Sequence, residues 1–300
     1  MHNGVSDEVC FLIFDLAELN VAFSNPTQHE REPRHIARVS LWRMLGWEPN
    51  ADEAATGMLA ACEGVARGRM GAWRDSRPGL LALMTTLPGR PYNGLYGLDS
   101  TATPEDATPV AVNLAASGVS WCARLRPNVS IEVDEALGSV SLFTEDEALL
   151  MATSLAVYDR KGHRPTELTL STRRTEDDHA IADVLGAVFG SSPSSAVKLL
   201  DPAHLNCGGT EGRLGKVDGV IVSCAMLVVA GNALGIFAVG TVPEARGKGY
   251  ASAVTSRALA HGFDAGSAFG VLTASTEVRG VYERLGFSVL ESWRRLVPSS

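Results

Sequence analysis

The run Arg246-Gly247-Lys248-Gly249-Tyr250-Ala251-Ser252 places two glycines and two basic side chains where a strand-like segment gives way to a helical one. Its chemistry is anion binding. The first turn of a helix has unpaired N–H groups and the positive end of the backbone dipole, and glycines let a phosphate approach the main chain. In isolation an ordinary glycine-rich turn explains the same residues equally well. Other clusters offer less. His29-Glu30-Arg31-Glu32-Pro33-Arg34-His35 has metal-ligating residue types, but its arginines repel a cation and Pro33 disrupts ligand geometry, so it reads as a charged surface loop and no metal site is expected. Cys207 and Cys224 lack an identifiable activating base and read as buried thiols.

The elements that must position the turn follow from periodicity. A strand over 234–242 enters it, a helix over 252–261 leaves it with Gly262 as its stop, and 268–274 is a further apolar strand. Val278, Val281, Tyr282 and Leu285 share one helix face, Gly286 caps that helix, and 287–296 forms the last strand. Upstream, 167–171 is a strand, and Thr175, followed by acidic residues and then Ile181, Val184, Leu185 and Val188, opens an amphipathic helix ending at Gly190. Asp218-Gly219 and Gly231-Asn232 are the turns of a three-strand antiparallel meander through 213–217, 220–229 and 234–242. The polar, Gly- and Pro-containing stretch 159–165 is the linker, dividing the chain into 1–158 and 166–300. Residues 25–34 and 99–106 read as surface loops.

Composition bounds the partners. The chain has 300 residues, 45% apolar and 20% charged, with a net charge of −8. That charge argues against tight nonspecific binding to nucleic acid or anionic membrane. Cys10, Cys62, Cys122, Cys207 and Cys224 are an odd, scattered set without a CxxC pair, as expected of reduced thiols in a cytoplasmic protein. The apolar stretch 10–23 is preceded by Asp7 and Glu8 and interrupted by Asp15 and Glu18, which is not the pattern of a signal peptide.

Arg246-x-x-Gly249-x-Ala251, in the setting Val242-Pro243-Glu244 and followed by small residues, resembles motif A of the GNAT acetyltransferases. Ser275 to Phe287, ending Val281-Tyr282-Glu283-Arg284-Leu285-Gly286-Phe287, resembles motif B, and the likeness spans roughly residues 166–297. It implies an α/β (α+β) fold of two GNAT-like domains, each a mixed, mostly antiparallel central sheet flanked by helices. It also implies transfer of an acyl group from a pantetheine thioester, acetyl-CoA above all, to an amine. The strands over 234–241 and 268–274 would splay to admit the pantetheine arm. Backbone groups of Val239, Gly240 and Thr241 would pair with its amides, and the pyrophosphate would lie on amides between Gly247 and Ser252, with Arg246 and Lys248 at the rim. Tyr282 corresponds to the tyrosine that many relatives use as general acid, while a core aromatic is the plainer reading of the same residue. A backbone N–H near Val239 would stabilise the oxyanion. Ser275 stands where motif B often has a cofactor-binding Asn, and serine supplies fewer hydrogen bonds.

Residues 234–242 lack the glutamate that several members carry there, so the base would be water or a residue from another segment. His204, Glu211 and Glu277 read better as solvated loop or helix-end residues. In the first half, Arg67-Gly68-Arg69-Met70-Gly71-Ala72 is no intact phosphate turn. The segments 92–96, 118–127 and 142–147 nevertheless follow in an order similar to degenerate N-terminal halves of tandem GNAT proteins. That half is expected to wall the acceptor cleft, to shape a carrier-protein surface, or only to stabilise its neighbour. Three readings stand: an acetyl-CoA-dependent N-acyltransferase, an acyltransferase charged from the phosphopantetheine of an acyl carrier protein, and a non-catalytic CoA-binding regulatory module.

Overall fold

A computed structural model describes residues 46–67, 69–87, 89–158, 165–189 and 210–299. In chain order they form helix α1 (Ala51–Ala66), strands β1 (Trp73–Arg77), β2 (Leu80–Met84) and β3 (Gly94–Gly97), helix α2 (Pro104–Ala116), strand β4 (Cys122–Leu125), helix α3 (Ile131–Ser139) and the long strand β5 (Leu142–Ser154). Next come β6 (Thr169–Thr172), helix α4 (Asp178–Phe189), β7 (Thr210–Val217), β8 (Val220–Ala230), β9 (Ala233–Thr241), helix α5 (Tyr250–Asp264), β10 (Phe269–Ala274), the short helix α6 (Arg279–Glu283) and β11 (Ser288–Pro298).

Local chemistry sets many of these boundaries. Asn50 and Glu53 cap α1 reciprocally, each side chain accepting the other's backbone N–H at 2.9 Å. Thr103 caps α2, whose first residue is Pro104, where a missing N–H costs nothing. Asp218 and Gly219 both have positive φ (50° and 81°), and Gly231 has φ 60°, as the two predicted meander turns require. Gly286 ends the segment after α6 with φ 87°.

The eleven strands make one sheet in the order β1-β2-β3-β4-β11-β5-β10-β9-β8-β7-β6, a mixed α/β arrangement with helices packed against it. Most neighbours run antiparallel; β3 and β4, and β9 and β10, run parallel. The centre joins distant parts of the chain. β5 lies between β10 and β11, and β11 lies between β5 and β4. Trp293 of β11, 1% exposed, packs in one core with Ala54 of α1, Leu81 of β2, Tyr96 of β3 and Phe269 of β10.

Two sequence expectations are corrected. Residues 104–106, read as the end of a surface loop, are the first turn of α2. Gly262 does not stop α5, which continues to Asp264. A Cβ at Gly262 would lie 2.5 Å from Leu234 Cδ2, so glycine serves the close approach of α5 to β9. Strand and helix ends elsewhere shift by a few residues from the periodicity; β6 begins at Thr169 and β11 runs to Pro298. Gly190, the linker residues 159–164, His204, Cys207, the stretch 10–23 and the 29–35 cluster lie outside the described residues. Among the described residues no helix is long and apolar enough to cross a membrane.

Candidate active site

The site begins at a defect in pairing. β9 and β10 are hydrogen-bonded in parallel only from Ala233 to Gly235 and from Phe269 to Val271. Beyond that they diverge, because β10 follows β5 while β9 follows β8. A bulge drives the divergence: Met226 faces Phe237 and Cys224 faces Gly240, so Ala238 and Val239 together oppose Ala225. Ala238 has φ 48°, a left-handed conformation costing an alanine roughly 1 kcal/mol. The Cys224 thiol donates to the Ala238 carbonyl at 3.7 Å, and burial pushes that thiol up to about 12, leaving it unreactive. From Ile236 to Thr241 the β10-facing edge of β9 has no strand partner among the described residues.

A cleft of about 1010 Å³ opens along this edge. Val239, Gly240 and Thr241 form one wall, the 246–252 turn the floor, and Val281, Tyr282, Arg284 and Leu285 the other side. Gly247 (φ 78°) and Gly249 (φ 81°) hold the backbone in the left-handed region, which explains glycine at both positions. Gly249 is the N-cap of α5, no side chain caps it, and the first turn contains no acidic residue. Its leading amides therefore face the cleft without a side chain among the described residues to accept from them. Arg246, Lys248 and Arg284 line the same cleft, which has no Asp or Glu among the described residues of its lining. Arg246 Nε donates to the Thr241 carbonyl at 3.2 Å, tying the turn to the end of β9. The Tyr250 side chain instead points into the core beside Leu168 and donates to Glu167 Oε1 at 2.8 Å, so only its backbone faces the cleft. These features fit a phosphorylated pantetheine: an open strand edge for its amides, then bare amides and cations for its phosphates.

Tyr282 is 8% exposed and stands edge-on to Phe287 at 5.8 Å, and burial, with no hydrogen bond among the described residues, sets the environment of its hydroxyl. Burial pushes the phenol up to about 12, so it remains a proton donor at neutral pH. It lines a second cleft as well, of about 720 Å³, and Val188, Val239 and Val278 are likewise common to both. The two clefts meet at Tyr282 and the bulge. Ser275 belongs to the second cleft, beside Glu277 to which it is hydrogen-bonded, and not to the cleft holding the glycine turn.

The second cleft takes much of its wall from the first half of the chain, including Arg90, Tyr92, Arg124, Glu145 and Glu147. Glu145 is paired with Arg90 at 3.1 Å and Arg295 at 2.9 Å, whereas Glu147 accepts from Ser292 Oγ at 2.6 Å and is in no ion pair among the described residues. Sequence reasoning did not single out Arg124, Glu147 or Arg284 as site residues. Arg284 sits two positions after Tyr282 in the motif already noted, a signal that was present; nothing local marks Arg124 or Glu147. Glu211, by contrast, is paired with Arg213 and His261 away from both clefts.

The family model for the acetyltransferase (GNAT) domain matches residues 171–290. Similar solved structures include a GCN5-related N-acetyltransferase from Kribbella flavida (17% identity, 84% of this chain and 97% of that chain, TM-score 0.64). Another is a GCN5-related N-acetyltransferase-like protein from Streptococcus suis (14% identity, 89% and 99%, TM-score 0.54). A tandem GNAT protein from the clavulanic acid biosynthesis pathway aligns over 88% of this chain and 96% of its own (12% identity, TM-score 0.52). At these identities the likeness is one of fold. No curated protein sequence matches the chain.

Proposed function

We propose that this protein, whose residues 171–290 match the family model for the acetyltransferase (GNAT) domain, moves an acetyl group from acetyl-CoA to an amine. The observation that carries the donor assignment is the first cleft, where an open strand edge leads to an uncapped helix start with Arg246, Lys248 and Arg284 and no acid among the described residues. That lining favours the phosphates of CoA over a bare phosphopantetheine on a carrier protein, whose arm ends in a single phosphodiester. Meeting of the two clefts at Tyr282 supports turnover over simple CoA storage.

Acetyl-CoA, when bound, supplies an activated thioester. The chain's own groups do the rest. Val239, at the bulge, presents its N–H for charge on the carbonyl oxygen as the amine nitrogen bonds to the carbonyl carbon. Glu147 takes the proton the amine loses, directly or through one water, and Tyr282 gives its phenolic proton to the sulfur as the C–S bond breaks.

Calorimetry with acetyl-CoA tests the donor site. The wild-type chain should bind and Gly249→Glu should not, since it adds an anion to the floor and a side chain at φ 81°. Unchanged affinity in a correctly folded Gly249→Glu protein would remove the turn from the donor site.

A further inference from the structure

Arg124 is the group in the second cleft whose chemistry is unfinished. It is 6% exposed. Its guanidinium lies over the Tyr96 ring, 5.4 Å from the centroid, and donates to the Tyr96 hydroxyl at 3.4 Å and to the Arg90 carbonyl at 3.2 Å. These contacts use two of its five N–H groups. None of its partners carries negative charge at neutral pH: no carboxylate lies within ion-pair distance among the described residues, and the ionisable groups around it are Tyr96, Cys62 and Cys122. The other buried arginines contrast with it. Arg126 is clamped by Glu291 and Asp52, and Arg213 is paired with Glu211. A buried arginine does not deprotonate, and burying its charge without a counter-ion is costly, so an unpaired one lining a cavity is poised for an anion.

Resting on the acetyltransferase reading, we propose that the acceptor is an aminocarboxylate, a free amino acid or short peptide, whose carboxylate is held by Arg124 while its amine is turned toward Tyr282 and the bulge. The planar fork of guanidinium matches a carboxylate with two parallel hydrogen bonds. Glu147 and Glu145, on the same cleft wall, attract the cationic amine as it enters. The depth of Arg124 in the first half of the chain explains why an acceptor pocket should include that half at all.

Matched acceptors decide it. With acetyl-CoA fixed, CoA release is measured with L-phenylalanine and phenethylamine, L-lysine and cadaverine, L-alanine and ethylamine, and the dipeptides of these amino acids. Accepted compounds should be confined to the carboxylates. Arg124→Gln should raise KM for them about 10²-fold, the scale of one lost charge-assisted pair, and Arg124→Lys should recover part of that loss. Equal kcat/KM within the matched pairs, or no accepted carboxylate in a protein that binds acetyl-CoA, would overturn the proposal. Failure to bind acetyl-CoA would instead reject the donor reading. A readout independent of turnover, and of whether the Gln variant folds, is the Arg124 Nε–H resonance in 15N-labelled protein, assigned by its loss in Arg124→Lys. It should shift on saturation with the carboxylates and not with their decarboxylated partners; a shift common to both, or to neither, counts against the site.

Discussion

At the scale of residues, Tyr282 and Arg284 show one short motif serving two purposes. Tyr282→Phe removes a hydroxyl with no hydrogen bond among the described residues while keeping the edge contact with Phe287, so stability should hold and turnover should fall about 10²–10⁴-fold. The sign of the pH dependence follows from burial. The acid form is the active one, and its pKa rises from 10.0 to about 12, so ionisation of Tyr282 should not depress the wild-type rate anywhere up to pH 10. Rates should climb with pH as the acceptor amine loses its proton. A fall near pH 10 that disappears in Tyr282→Phe would contradict this. Arg284→Glu puts an acid into a cleft whose described charged residues are all basic, and should weaken acetyl-CoA at least tenfold at low salt, less at high salt, as titration calorimetry would report.

Among the elements, the bulge of β9 and the helix behind it are the parts on which the donor cleft depends. α5 can approach β9 because Gly262 leaves room for Leu234, whose side chain is fully buried. Gly262→Val should therefore cost about 1–3 kcal/mol by overpacking, seen as a lower midpoint in thermal or urea unfolding. Donor affinity should fall with it, because the amides of the first turn of α5 would shift. In the bulge itself, Ala238→Gly relieves φ 48° and should leave stability equal or higher, whereas Ala238→Val should lower it.

For the molecule as a whole, the centre of the sheet is held by strands that are far apart in sequence. β5 supplies the antiparallel partner of β10, and β11 fills the space between β4 and β5. Cutting the chain within 159–164 should thus not yield a stable fragment 165–300. Without β5 that piece would expose the edge of β10 and the buried Trp293 together. Expressed alone it should aggregate, and co-expression with 1–158 should restore a soluble complex; a well-dispersed amide spectrum from the isolated fragment would refute this.

The glycine turn, the meander, the helix face bearing Tyr282 and the cap at Gly286 were legible in the residues because each depends on neighbours a few positions away. Positive φ at Gly219, Gly249 and Gly286 is a local demand, and glycine answers it locally. Even the splay of β9 from β10 was reached from the sequence, though through likeness to a family; the bulge at Ala238 that produces it has no residue-type signature. Gly262 misled because a glycine late in a helix looks the same whether it ends the helix or lets a neighbour close in. Arg124 and Glu147 were invisible for a stronger reason. An arginine becomes a site when burial removes its water and no carboxylate comes near, and a glutamate becomes a candidate base when it lines a cleft and no ion pair holds it. Both conditions were created by β3, β4 and β5 meeting strands and helices from the far half of the chain, and pairing across such distances leaves no local periodicity to read.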